Sequence, residues 1–210
     1  MKAPPRLRGG LTARVVALLC GLVLFGTGIV CMLESKLGLA PWDVLHQGLA
    51  KHSPLSFGEA SVVVSLLIVV VAWFLRAPIG LGTVANALVV GATIELLTLL
   101  APVTQLAHEP LAVRIALLAG GLVLIGIGSG LYLGAQLGAG PRDSLMVVGA
   151  ERTPLRIGVV RALLELAALA AGIALGGTVG VGTVAFALLI GPSVEASFWA
   201  LARSPLTAPA

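Results

Sequence analysis

Long apolar runs, broken at regular intervals by short polar stretches, organise this chain. Runs of about 20 apolar residues, the length a helix needs to cross a bilayer, fall at 11–33, 57–76, 81–100, 111–133, 156–175 and 181–201. Two divisions are short. Arg76-Ala77-Pro78-Ile79-Gly80 separates the second run from the third, and Gly176-Gly177-Thr178-Val179-Gly180, with no charge, separates the fifth from the sixth. The pattern predicts six spanning helices, with five as the alternative if that last division fails.

The pattern is written twice. Sliding residues 11–95 over 111–195 without a gap gives thirty identities in 85 positions, where this apolar composition alone gives roughly nine. Gly21-Leu22-Val23-Leu24 returns as Gly121-Leu122-Val123-Leu124, Gly38-x-x-Pro41-x-Asp43 as Gly138-x-x-Pro141-x-Asp143, and Gly80-x-Gly82-Thr83 as Gly180-x-Gly182-Thr183. The alignment of Gly80 with Gly180 supports the uncharged division. A unit of three crossings repeated in tandem enters the membrane in opposite senses. The expected fold is therefore all-α and polytopic: an inverted repeat of two three-helix units, 11–106 and 111–203, in one membrane domain behind a cytoplasmic tail, 1–10. Inverted repeats of this kind recur in secondary transporters.

Composition agrees with a bilayer setting. The chain is 58% apolar and 10% charged, against about 25% charged for a soluble domain, so it lacks the polar residues to cover a surface in water. Its 27 glycines fit helices that pack closely in lipid. The run Leu11–Leu33 is too long for a signal peptide and has an internal counterpart at Leu111–Leu133, so both read as spans. Cys20 and Cys31 read as small buried hydrophobes.

The net charge of +4 serves topology rather than nucleic acid, because the basic residues sit at chain ends and loops without interleaved aromatics. With the N-terminus in the cytoplasm, Lys2, Arg6, Arg8, Arg14, Arg76, Arg142, Arg152, Arg156, Arg161 and Arg203 fall on or near the inner side. Only Lys36, Lys51 and Arg114 fall outside.

Three kinds of stretch could carry chemistry. Pro41–Ala50 and Pro141–Ala150 each predict a short helix, lying in the interface or re-entrant, with Pro in its first turn and an Asp beside it. Asp43 and Asp143 are then either caps or guards of the two mouths of one pathway. Gly80, Gly82 and Thr83, with Gly180, Gly182 and Thr183, mark either tight turns or unwound helix starts that coordinate an ion. Ionisable residues inside spans form the third kind. Arg161 stands one turn before Glu165, which allows an intrahelical ion pair. Glu95 and Glu195 have no basic neighbour and are candidates for a proton or cation site, the alternative being hydrogen bonds from the protonated acids to Thr83, Thr183 or Asn86. Asn86 aligns with Phe186, so one half could hold a polar solute that the other walls off. His46, His52 and His108 have no partners at zinc-ligand spacing, and the serines form no hydrolase pattern. No metal, cofactor or enzymatic activity is expected.

The paired Gly-x-x-Pro-x-Asp and Gly-x-Gly-Thr segments, with the run Pro41-Trp42-Asp43-Val44-Leu45-His46-Gln47-Gly48, resemble the YitT/YczE-like family of bacterial integral membrane proteins over roughly residues 11–200. The resemblance implies a small polytopic protein of the bacterial cytoplasmic membrane, in a family whose biochemical activity is largely unassigned. It assigns no site residue. The second copy departs from the run by carrying Arg142 and lacking the His-Gln-Gly continuation.

The leading functional expectation is a small secondary transporter or permease for a small metabolite or ion, proton-coupled through Glu95 and Glu195, with a homodimer as a candidate assembly. A membrane scaffold or regulator is the alternative, since polar side chains in the spans are few, and a small channel comes third.

Overall fold

A computed structural model describes residues 5–207; the start of the predicted tail, with Lys2, lies outside the described residues. The chain folds into helices α1 (Leu11–Ser35), α2 (Pro41–Lys51), α3 (Phe57–Phe74), α4 (Leu81–Thr98), α5 (Ala101–Gln105), α6 (Leu111–Gly134), α7 (Pro141–Arg152), α8 (Ile157–Ala174) and α9 (Val181–Ala202). Six of them, α1, α3, α4, α6, α8 and α9, are long and apolar enough to cross a membrane. The protein is an all-helical, multi-pass membrane protein. The sequence pattern anticipated these six and the two short helices, but not α5 or the 3-10 turn at Leu106–His108.

Local chemistry sets the helix ends. Pro41 and Pro141 open α2 and α7, where a missing N–H costs nothing. Ser56 and Glu59 close a capping box on α3. Beyond α3 and α8 the chain stops on the aligned residues Arg76 (φ 57°) and Gly176 (φ 71°), both in the left-handed region that ends helices.

The halves share one spine. Helices α1 and α6 pack side by side in opposite directions, so that Gly21 lies on Gly128 and Gly28 on Gly121. A Cβ at Gly128 would stand 2.5 Å from the Gly21 carbonyl oxygen, and one at Gly28 would stand 2.7 Å from that of Gly121. Lipid offers no hydrophobic drive between helices, so this backbone contact is itself the source of attraction. Two aligned arginines fasten the spine at its ends. Arg14 Nε donates to the Ala135 carbonyl at 2.7 Å, and Arg114 Nε to that of Ser35 at 2.7 Å. Each guanidinium closes the carbonyl end of the opposite helix, where the helix dipole favours a cation.

Around the spine the halves interleave. Helix α4 packs on α1 and α9 on α6, while α2 lies against α8 and α7 against α3. Each short helix therefore rests on the other half. One packing is not repeated: α3 runs along α4, whereas α8 and α9 stand apart.

The spine makes a direct prediction. Gly128→Ala places a methyl against backbone that cannot yield, and it should cost about 1–3 kcal/mol, read as a lower Tm in detergent. Gly120→Ala, on the same helix with open space around it, should leave Tm unchanged or raise it.

Candidate functional site

The two motifs that occur in duplicate meet each other across the halves. Gly82 N–H donates to the Leu137 carbonyl at 2.7 Å, and Gly182 N–H to that of Leu37 at 2.7 Å. A Cβ at Gly182 would lie 2.5 Å from the Gly38 carbonyl oxygen, and one at Gly82 would lie 2.6 Å from that of Gly138. Gly38 and Gly138 hold φ of 119° and 126°, conformations that any side chain would disfavour. Thr83 Oγ1 accepts from the Gly80 N–H at 3.1 Å and donates to the Ala139 carbonyl at 2.7 Å. Thr183 Oγ1 accepts from the Gly180 N–H at 3.3 Å. Gly80, Gly82, Thr83, Gly180, Gly182 and Thr183 thus begin intact helices and dock the loops that lead into α2 and α7. The unwound helix starts considered from sequence are not seen: α4 and α9 run without a break from Leu81 and Val181, and each docked loop accepts one early N–H, that of Gly82 or Gly182.

This docking aims the first turns of α2 and α7 at one cavity of about 320 Å³. Aligned positions from both halves line it: Phe25 and Ile125, Pro41 and Pro141, Trp42 and Arg142, Ser61 and Arg161, Ser65 and Glu165, Asn86 and Phe186, Val90 and Ile190. The cavity therefore lies between the halves. Six of these seven aligned pairs carry unlike side chains.

The polar groups gather where the repeat disagrees with itself. Arg142 stacks over the Trp42 ring at 5.0 Å from the centroid, a cation–π contact between the two residues that break the motif. Its Nη2 stands 4.0 Å from Asp43 Oδ1. Tyr132 donates its hydroxyl to Asp143 Oδ2 at 3.0 Å. Arg161 Nε lies 3.0 Å from Glu165 Oε1, the intrahelical pair expected from the spacing. Two guanidinium groups and two carboxylates thus face one small apolar-walled space, with Asn86, Ser61, Ser65 and Ser129 beside them.

Behind this wall lies a second, buried layer. Asp43 is 1% exposed and His46 is fully buried. His46 Nδ1 approaches Asp43 Oδ1 to 3.3 Å, yet the pair is too poorly aligned to count as a hydrogen bond, and among the described residues Asp43 Oδ1, both His46 ring nitrogens and Ser144 Oγ have no hydrogen-bond partner. Burial pushes the His46 imidazole below its usual range against the pull of Asp43, so the ring is neutral at neutral pH.

Over residues 12–197 the chain matches the Family of unknown function (DUF6198). The chain belongs to this family. It is 40% identical to an uncharacterized protein of Haemophilus influenzae over 189 residues, which is 90% of this chain and 84% of that protein. It is also 37% identical to the uncharacterized membrane protein YczE of Bacillus subtilis over 173 residues, 81% of this chain and 79% of YczE. The uncharacterized protein YyaS of Bacillus subtilis is 29% identical, matching 78% of this chain and 82% of its own length. No solved structure matches. The YczE-like relationship seen in the motifs thus holds over most of the chain.

In this YczE-like protein the candidate residues divide. Glu165, Asn86 and Asp143 line the cavity, and Asp43 lies just behind it. Glu95 and Glu195 do not reach it. Glu95 is half-buried and accepts from Ser56 Oγ at the N-terminus of α3, not from Thr83 or Asn86. Glu195 is exposed on the outer face of α9. Sequence reasoning placed none of Trp42, Arg142, Tyr132 and Ser61 at a site and counted Ser65 only among the few polar groups of the spans. A signal for them existed: positions 42 and 142, 61 and 161, and 65 and 165 are places where otherwise similar halves differ in polarity.

The Trp42–Arg142 stack predicts a coupling. In a double-mutant cycle of Trp42→Ala and Arg142→Ala, unfolding in detergent should show an interaction of about 1 kcal/mol, within the range for partly desolvated cation–π pairs. Additive losses would mean that the two residues act separately.

Proposed function

We propose that this protein is a small secondary transporter of the bacterial cytoplasmic membrane, with the cavity between α7, α8 and the spine as its solute site. The observation that carries the reading is one cavity lined by equivalent positions of two repeated halves, with its charged groups collected there. A scaffold needs no such arrangement. Part of the sparse polar set of the spans, which favoured a scaffold in the sequence, lies where a solute would bind: Ser61, Ser65, Asn86, Ser129, Arg161 and Glu165.

The antiparallel packing of α1 on α6 supports opposite membrane senses for the two units, with the N-terminus in the cytoplasm on the basic-residue pattern. A cavity of about 320 Å³ suits a small metabolite. The balance of two guanidinium groups and two carboxylates favours a solute carrying both signs of charge or a single anionic group. In the second case the Arg161–Glu165 pair supplies the coupling. A proton on Glu165 removes the negative partner of Arg161, whose guanidinium is then available to the anionic group of the solute; loss of the proton restores the pair and expels it.

The test uses purified protein in lipid vesicles with an imposed pH gradient and a panel of small amino acids and carboxylates. Solute-dependent proton flux is the expected outcome, and Glu165→Gln should lower it at least about tenfold, as loss of the proton-carrying group requires. A protein that moves none of the panel, with or without the gradient, would sink the transport reading. Orientation has its own measurement. In a background without Cys20 and Cys31, an impermeant thiol reagent on intact cells should label Ser53→Cys and not Thr153→Cys. Equal labelling of both would overturn the opposed topology.

A further inference from the structure

The two halves differ most at the packing of their second and third long helices, α3 on α4 and α8 by α9. In the first half the N-terminus of α3 sits on α4. A Cβ at Gly91 would lie 2.9 Å from the Gly58 carbonyl oxygen, and one at Gly58 would lie 2.8 Å from the Glu95 backbone nitrogen. Ser56 Oγ donates to the Glu95 carboxylate, and Ala87 is buried in the same seam. This is close small-residue packing sealed by one polar contact.

The second half keeps the residues and lacks the contact. Gly158, Ala187, Gly191 and Glu195 are identical to Gly58, Ala87, Gly91 and Glu95. Yet nothing among the described residues lies within 4 Å of a Cβ built at Gly158 or Gly191. Ala187, Glu195 and every residue from 151 to 159 are exposed. A glycine inside a helix weakens it unless a neighbour needs the space, and no neighbour uses the space here. Where the first half has Ser56, the second has Arg156, opposite in charge to Glu195, and neither is in an ion pair among the described residues.

We propose that the face of α9 formed by Ala187, Gly191 and Glu195 is a docking surface for α8 of the same chain, occupied in a second conformation in which Gly158 packs on Gly191 and Arg156 pairs with Glu195. Two further observations fit. Helix α9 carries Pro192 beside this face, where α4 has Ala92; the missing N–H removes a rung from the helix and provides a place to bend. Residues of both α8 and α9, among them Leu164, Glu165 and Ile190, line the cavity, so bringing α8 onto α9 narrows it from that side. Glu195, idle in this structure, becomes a positioning residue of the closed state. The inference uses the two states of the transport reading, but the contact itself needs no solute.

The experiment is cross-linking of Gly158→Cys with Gly191→Cys in full-length protein in membranes, without Cys20 and Cys31, using a short bifunctional thiol reagent. Both positions are open, so the cysteines displace no neighbour. Ser56→Cys with Glu95→Cys, already in contact, is the reference pair. We expect a link within one chain, identified by mass spectrometry of the joined peptides. Glu195→Gln should lower its yield about two- to fivefold, the effect of losing a partly exposed ion pair, and exchanging the charges as Arg156→Glu with Glu195→Arg should restore it. A reference pair that links while 158 and 191 do not would overturn the docking. Links found only between two chains would also overturn it, giving the face to a second copy. A link within the chain in a protein that moves no solute would support the docking and count against transport alone.

Discussion

The structure depends on backbone meeting backbone across the two halves. In lipid, an apolar side chain gains nothing by leaving the solvent for a neighbouring helix, so the bundle is held where glycine lets main chains touch. Three of these places use glycines repeated in both halves: the α1–α6 spine through Gly21, Gly28, Gly121 and Gly128, and the two joints where Leu37–Gly38 meets Gly180–Gly182 and Leu137–Gly138 meets Gly80–Gly82. Every one joins the first half to the second. Each half supplies the loop that caps the other's last long helix and the arginine that closes the other's first. Neither half carries a complete set of partners for its own polar groups, so the repeat is one folding unit and not two.

That arrangement also decides where function can sit. The joints point the first turns of α2 and α7 toward one another, which brings position 42 onto position 142 and places 61, 65 and 86 opposite their aligned partners. A perfectly repeated sequence would double every group there. Instead Trp faces Arg, a pair of Ser faces an Arg–Glu pair, and Asn faces Phe. The glycines of the spine and the two joints are repeated, whereas Gly48 and Gly172, which seat α8 on α2, align with Val148 and Ala72. Most aligned pairs on the cavity wall differ.

Much of the fold was legible because length and hydropathy report directly on crossings. The six long helices, the two short ones and the weak division at Gly176–Gly180 all follow from run lengths and the offset of 100 residues. Azimuth was not legible. These helices are apolar on nearly every side, so periodicity does not say which face turns inward, and an acid at a given depth could face solvent, lipid or cavity. Glu95 and Glu195 were ranked first on depth and lack of a neighbouring base, yet one is bonded to the Ser56 hydroxyl and the other points outward. Glu165, discounted because Arg161 could neutralise it, is the acid that faces the cavity. The pairing of Arg14 with the end of α6, and of Arg114 with the end of α1, was invisible for the same reason: it depends on which helices lie side by side. The contrast between aligned positions was a better guide to the cavity than charge was.

The same repetition extends to the seam between the third and fourth helix of each half. The four residues that close α3 on α4, Gly58, Ala87, Gly91 and Glu95, recur as Gly158, Ala187, Gly191 and Glu195 in the half where α8 and α9 stand apart. Around the seam the halves differ at Ser56 against Arg156, Glu59 against Val159, Val62 against Ala162 and Ala92 against Pro192, and Val62 Cγ2 is the atom nearest a Cβ built at Gly91. The seam lies apart from the spine and the glycine joints, and α8 is held on α2 by its C-terminal part, where a Cβ at Gly172 would lie 2.5 Å from the Leu45 backbone nitrogen. The proposed docking of α8 on α9 would give that helix two seats on an otherwise fixed frame, a bistable element in the sense required for a conformational switch. A ligand that contacts Arg161 or Glu165 on α8 would act on it directly, because it binds the helix whose position is at issue.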